Sequence, residues 1–209
     1  MKVFLKRFVV GRLEANCYLV ACKKTKKALV IDPGSEEEIG LILDTIRKND
    51  FVLEYIINTH GHYDHIAGNR KLKSLTSAKI LIHKLDAEML VDKGKNLSIL
   101  SGSDLISPPA DQFLKEGTEI SLGLLYFKII HTPGHSAGSV CLEAENIVFT
   151  GDTLFAQGIG RTDLPGGSHP DIVRSIKEKL FQLDERKKIY PGHGPASTIR
   201  EEKKIYQIY

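Results

Sequence analysis

The stretch Thr59-His60-Gly61-His62-Tyr63-Asp64-His65 holds three imidazoles and a carboxylate in seven consecutive positions. In an extended segment, side chains at i and i+2 point the same way, so His60 and His62 can converge on one cation. Asp64 and His65 come after the chain turns and face a neighbouring position. Neutral imidazole and carboxylate are good ligands for zinc, iron or manganese. Four donors on one loop can thus begin two adjacent metal sites, though they cannot complete both.

Three later stretches each end an apolar run with a ligand-type residue beside glycine: Thr132-Pro133-Gly134-His135-Ser136, Phe149-Thr150-Gly151-Asp152-Thr153 and Tyr190-Pro191-Gly192-His193-Gly194. Glycine permits the tight turn that aims a side chain from a strand end into a cleft. If the preceding strands share a direction, all three residues arrive at one edge. A closed structural site uses four cysteine or histidine ligands. This set has no cysteine, which leaves coordination positions for water and is the pattern of catalysis.

The elements that must position these residues are strand-rich. Val3–Val10, Asn16–Cys22, Ala28–Ile31, Leu53–Asn58, Lys79–His83, Glu119–Leu122, Leu124–Ile130, Ser139–Glu143, Ile147–Thr150 and Lys188–Tyr190 read as strands. Ser35 with Glu38 has the spacing of a capping box, ahead of Ile39, Ile42, Leu43 and Ile46 at helical spacing. Helices are expected from Ile66 to about Leu75, over Lys84–Val91, from a Ser168/Asp171 cap to about Leu183, and from Thr198 onward. Residues 92–111, polar and broken by glycine and proline, form a long loop or insertion that is a candidate lid over a site. Strands outnumber helices in both halves, so two sheets packed face to face with helices outside are expected, an α/β layered domain.

The 209 residues suit one sizeable domain, 1–209. No apolar run is long enough to span a bilayer, and no secretory signal is evident. Cys17, Cys22 and Cys141 are odd in number and unpaired in spacing, which argues against a disulfide framework and fits a reducing cytoplasm. Cys17 and Cys22 are read as small buried hydrophobes on opposite faces of a strand. A net charge of +3 does not imply nucleic acid, and Lys23-Lys24-Thr25-Lys26-Lys27 reads as a solvated hairpin turn.

The histidine loop and the three later stretches, in this order, resemble the metallo-β-lactamase superfamily, from Asp32 to His193. Phe149-Thr150-Gly151-Asp152-Thr153-Leu154-Phe155 and Gly160-Arg161-Thr162-Asp163 resemble the glyoxalase II (hydroxyacylglutathione hydrolase) group within it. The resemblance implies a four-layer αββα sandwich with the site at one edge of the two sheets. It implies one divalent metal on His60, His62 and His135 and a second on Asp64, His65 and His193, with Asp152 bridging. Zinc is the expected ion, and iron and manganese share these ligands. Asp64 and Asp152 are then the catalytic carboxylates, around a hydroxide that attacks the carbonyl of a thioester such as a hydroxyacyl-thiol. The resemblance, not the residues, selects a thioester.

Arg161 stands just after the bridging aspartate. It is a candidate to bind a substrate carboxylate, with a salt bridge to Asp163 as the other reading. His131 reads as a packing or supporting residue, and His83 and His169 as non-ligands. Asp32, before a Pro-Gly turn, either bonds the histidine loop or caps the turn. The longer members of the group carry a helical C-terminal region that grips glutathione. This chain ends a short way past His193, so a smaller or different thiol is expected. A small-molecule thioester is the expected partner, with no nucleic acid, no membrane and an open oligomeric state. Gly160-Arg161-Thr162-Asp163 also resembles the persulfide dioxygenases, which hold one iron through residues matching His60, His135 and Asp152. That reading and a non-enzymatic metal-binding protein are the alternatives.

Overall fold

Leu125, Phe127 and Ile129 are buried in one apolar cluster while Tyr126 and Lys128 between them are exposed. This period-2 alternation marks a sheet with one face on a core. The computed structural model describes residues 3–206. Strands β1 (Val3–Val10), β2 (Ala15–Cys22), β3 (Lys27–Ile31), β4 (Val52–Ile57), β5 (Lys79–His83) and β6 (Gln112–Leu114) form one six-stranded sheet in that order. β7 (Glu119–Leu122), β8 (Leu125–His131), β9 (Val140–Glu143) and β10 (Ile147–Gly151) build the second. A small hairpin, β11 (Leu154–Phe155) with β12 (Gly158–Ile159), follows, and β13 (Lys188–Pro191) and β14 (Ser197–Thr198) complete the second sheet in the order β14-β13-β10-β9-β8-β7.

Three apolar clusters define the layers. Tyr18, Val20, Leu29, Ile31, Phe127 and Phe149 meet between the two sheets. Val30, Ile56 and Ile80 on the outer face of the first sheet pack against α1 (Ile39–Lys48), whose Ile39, Ile42, Leu43 and Ile46 are buried as their spacing predicts. Ile66 of α2 (Tyr63–Ile66) and Leu72 of α3 (Asn69–Thr76) join the same layer. Cys141, Val148 and Ile189 on the outer face of the second sheet pack against Ile172 and Ile176 of α4 (His169–Glu178) and Ile199 of α5 (Ile199–Tyr206). The order helix, sheet, sheet, helix is the expected αββα sandwich. Every residue of β2 is buried, as suits a central strand covered on both faces. Cys17 and Cys22 fall in different clusters on its two sides.

Several local expectations need correction. Ser35 and Glu38 form no capping box. α1 begins at Ile39, and Glu38 at the N-cap position makes no side-chain cap, while the Ser35 hydroxyl instead accepts from the Glu37 N–H at 3.2 Å, closing a turn before the helix. The helix expected from Ile66 is two pieces, α2 and α3. Around Gly68 the chain passes so close to Pro33 and Ile39 that a Cβ would lie 2.7 Å from the Pro33 carbonyl oxygen. Lys84–Leu90 is a 3-10 helix. Residues 92–111 are not wholly irregular: they contain a 3-10 turn at Ser98–Ser101 and run directly into β6.

Strand direction places the site. β3, β4 and β5 run parallel. β8 and β9 are antiparallel, β9 and β10 are antiparallel, and β10 and β13 are parallel. Hence β8, β10 and β13 share a direction, and His135, Asp152 and His193 follow their C-terminal ends. The condition set by the sequence is met.

Candidate metal centre

The loop after β4 enters extended, with His62 at φ −68° and ψ 147°, and then turns into α2, which carries Asp64 and His65. The two halves therefore face two positions. Donor atoms of His60, His62 and His135 lie within 4.8 Å of one another, and so do those of Asp64, His65 and His193. Asp152 stands between the triads. Its Oδ2 is 3.6 Å from His135 Nε2 and 3.6 Å from His193 Nε2, and its Oδ1 is 3.4 Å from His65 Nε2. All seven ligand candidates thus converge.

Glycines make the approach possible. Gly134 has φ +139°, and a Cβ on it would sit 2.2 Å from the Ile172 backbone nitrogen. A Cβ on Gly192 would fall 2.1 Å from Asp152 Oδ1, so the Asp152 carboxylate occupies the space this glycine leaves.

The donor set fits divalent cations on two observations. Among the described residues, His60 Nε2, His62 Nε2 and Asp152 Oδ1 are buried with no hydrogen-bond partner. Such atoms are costly to leave unpaired. Second, three histidines have the proton fixed on the ring nitrogen facing away from the cluster. Nδ1–H of His65 donates to Asp32 Oδ2 at 3.0 Å, that of His135 to the Arg161 carbonyl at 2.8 Å, and that of His193 to the Leu13 carbonyl at 3.0 Å. Their Nε2 atoms point inward, the usual orientation around a bound metal.

The electrostatics differ between the two triads. Burial, reinforced by the charge of His135, pushes the His62 imidazole down to about 3, and burial holds His60 well below its ordinary value. Both are neutral lone-pair donors at neutral pH. Burial opposes charge on His65, but the carboxylates of Asp152, Asp64 and Asp32 outweigh it and push this imidazole up to about 10. For Asp64 burial acts upward, and His65 and His193 overcome it to hold the carboxyl below the usual range.

Two buried carboxylates support the ligands. Asp32 bonds the histidine loop: its Oδ1 accepts from the Thr59 N–H at 2.8 Å and its Oδ2 from the Thr59 hydroxyl at 2.7 Å, beside the His65 contact. Asp86, 1% exposed, was not singled out from the sequence. Its Oδ2 accepts from the Gly61 N–H at 3.1 Å and the Ser136 hydroxyl at 2.6 Å, and its Oδ1 from the Gly138 N–H at 2.6 Å. It ties the backbone between His60 and His62 to the loop that carries His135. The signal for it is its place just after β5, as Asp32 stands just after the parallel β3.

The remaining histidines lie outside the cluster. His83 and His131 stack on each other with ring centroids 4.2 Å apart, and His169 is the first residue of α4. Arg161 grips Asp163 with two bonds of 2.8 Å through Nε and Nη2, which leaves Nη1 for another partner. Beside the ligands lies an open cavity of about 600 Å³, walled by the 92–111 segment, the β1–β2 turn and residues 155–164.

Residues 10–193 match the model of the metallo-beta-lactamase superfamily. An uncharacterized protein of Mycobacterium tuberculosis is 38% identical over 95% of this chain and 94% of its own. The probable metallo-hydrolase YqgX of Bacillus subtilis is 33% identical over 94% and 93%. The hydroxyacylglutathione hydrolase GloC of Haemophilus influenzae is 34% identical over 93% and 92%. Among solved structures, BLEG-1 B3 metallo-beta-lactamase superposes with a TM-score of 0.90 at 33% identity, covering 96% of this chain and 97% of the other. ETHE1 from Myxococcus xanthus gives 0.80 at 27% over 96% and 81%, and TTHA1623 in a di-iron-bound form 0.81 at 30% over 96% and 98%.

Proposed function

This chain belongs to the metallo-beta-lactamase superfamily, and from that premise we propose that it is a two-metal hydrolase of thioesters, with a hydroxyacyl-thiol as the reference substrate. The observation that carries the reading is the position of Asp152, with Oδ2 near a histidine of each triad and Oδ1 buried with no hydrogen bond, 3.4 Å from His65 Nε2. His60, His62 and His135 would hold one divalent ion, and Asp64, His65 and His193 the other. Bound there, such ions lower the pKa of water to roughly 7 and polarise a carbonyl oxygen. The chain's own residues do the rest. Asp32, the Arg161 carbonyl and the Leu13 carbonyl keep three imidazoles in the ligand tautomer. Asp152 and Asp64 place negative charge where a water proton can be held, and the cavity wall orients the acyl-thiol. Arg161, through the Nη1 that Asp163 leaves free, is the candidate donor to a polar substrate atom.

Zinc is the ion we favour. The relative named GloC supports a hydroxyacyl-thiol substrate, and the di-iron-bound neighbour keeps iron in view. The second reading is a mononuclear iron persulfide dioxygenase, which the Gly160-Arg161-Thr162-Asp163 stretch suggests. Pro191-Gly192-His193-Gly194-Pro195, which resembles the hydrolase group more closely, favours hydrolysis. Metal analysis of freshly purified protein, with thioester hydrolysis on several thiol carriers and oxygen uptake on a persulfide, decides between them. Two ions per chain with thioester turnover is the expected result. One iron with oxygen consumption reverses the assignment.

A further inference from the structure

The cavity beside the metal centre has an asymmetry that bears on the substrate. Apart from the ligands, its walls are Leu13, Leu97, Leu100, Phe155, Ile159 and Leu164, with Tyr63, Ser101 and Arg161 as the polar members. The Arg161 charge is already balanced by Asp163. A second cavity, about 350 Å³, adjoins the first and shares Leu13, Tyr63, Asp64 and Ser101 with it, but adds Arg12, Glu36 and Glu37. Among the described residues, these three charged side chains have no ion-pair partner. A groove thus runs past Asp64 from an apolar half to a charged half. Both volumes fall within or near the range of small-molecule sites.

The apolar half is a built surface. Leu97 sits at φ +68°, a left-handed conformation costly for a leucine, and its side chain is 9% exposed. Asn96, fully buried, holds it there. The Asn96 side chain donates to the Leu105 carbonyl at 3.0 Å and accepts from the Ser98 N–H at 2.9 Å. Its carbonyl accepts from the N–H of Tyr63 at 3.0 Å, between His62 and Asp64. The segment that carries Leu97 and Leu100 is therefore tied to the ligand loop itself. Leu100, 76% exposed, stands at the mouth.

We propose that the acyl group of the substrate is an alkyl chain of several carbons, lying between Leu97 and Leu100 on one side and Phe155, Ile159 and Leu164 on the other. The polar thiol half extends toward Arg12, Glu36 and Glu37. This rests on the thioesterase reading above. A buried methylene contributes about 0.8 kcal/mol, nearly fourfold per carbon when fully covered. In an open cleft two- to fourfold per carbon is expected.

The test has two arms on the metal-loaded protein. The first compares kcat/KM for acetyl, butyryl and hexanoyl thioesters of N-acetylcysteamine. The second compares acetyl thioesters of ethanethiol, butanethiol and hexanethiol. A two- to fourfold rise per carbon in the first arm and a flat second arm are expected. Leu100→Ser and Leu97→Gly should each flatten the first slope, with metal content equal to that of the unmutated protein. A flat first arm or a steeper second arm overturns the assignment. Calorimetric titration with acetate, butyrate and hexanoate reads the same wall without turnover. Affinity that climbs with length while no thioester is cleaved overturns the thioesterase reading and upholds the wall; affinity independent of length overturns the wall.

Discussion

Asp86→Asn removes half of a buried brace while keeping its shape. The carboxylate accepts three hydrogen bonds, from Gly61, Ser136 and Gly138. An amide keeps one acceptor oxygen and presents an NH2 on the other side. With the oxygen toward Gly138, the Ser136 hydroxyl still has Ser139 Oγ at 2.7 Å, but the Gly61 N–H faces a donor. One buried N–H left unpaired costs roughly 1–3 kcal/mol, and the bonds that remain lose their charge assistance, about another 1 kcal/mol. Burial raises the carboxyl of Asp86 above its ordinary value, so removing the charge refunds part of this. A net loss of about 2–3 kcal/mol follows, or a fall in Tm of roughly 4–12 °C for a chain of this size. Freed at Gly61, His60 and His62 should lose metal affinity by about 10- to 100-fold, while the Asp64, His65 and His193 triad keeps its own. The assays are calorimetry of chelator-treated protein and competitive metal titration against a chromophoric chelator. Two stepwise affinities are expected, with only one of them weakened. An unchanged Tm together with two unchanged affinities refutes the brace.

Asp152→Ala should abolish metal-dependent turnover and lower the metal content below two ions per chain; full activity from the variant would remove Asp152 from the centre. Asp32→Asn takes away the acceptor that fixes His65, and should weaken the second ion about 10- to 100-fold with the first little changed, read by the same competitive titration. Gly134→Ala forces a Cβ onto the Ile172 backbone in a conformation disfavoured for alanine, so a loss of more than about 2 kcal/mol in denaturant unfolding is expected; a neutral result would mean α4 shifts freely. Burial, helped by the neighbouring His131, pushes the His83 imidazole from 6.5 down to about 4. Between those values the unfolded chain takes up a proton that the folded one refuses, so stability falls as pH drops from 6.5 toward 4 and is unaffected by this group above 6.5. His83 is partly exposed, so solvent screening keeps the effect below about 1 kcal/mol; in chelator-treated protein His83→Asn should flatten the urea midpoint across that window, and parallel profiles would discount it.

The convergence of the candidate ligands was legible because each sits in a short local signal: four donors in one loop, then single donors flanked by glycine after apolar runs. Periodicity was legible too, since Leu125, Phe127 and Ile129 in a strand and Ile39, Ile42 and Ile46 in a helix carry their pattern within a few residues. What escaped was set by distant partners. Asp86 lies in Lys84-Leu85-Asp86-Ala87-Glu88, an ordinary polar helical stretch, and its meaning comes from Gly61 and from Ser136 and Gly138. β6, β11, β12 and β14 are two or three residues long, too short for any period to show. The Ser35/Glu38 box is absent because the chain at Pro33 and Ser35 packs against Gly68 and the Ser35 hydroxyl turns to the Glu37 N–H, with the helix starting only at Ile39. Asp32 had two open readings, and only the fold, which runs β3 parallel to β4, brought its carboxylate beneath Thr59 and His65.

Each triad draws on both sheets. His60, His62, Asp64 and His65 hang from β4, while His135, Asp152 and His193 hang from β8, β10 and β13. A cation in either position is therefore a rivet through the seam of the sandwich. Chelation would release the rim first and leave the opposite edge closed, with the two sheets free to hinge about it. Because a ligand that prefers the folded form adds RT ln(1 + [L]/Kd) to stability, the melting point of this protein should track free metal concentration, and its resistance to proteolysis along this rim should report cellular metal supply.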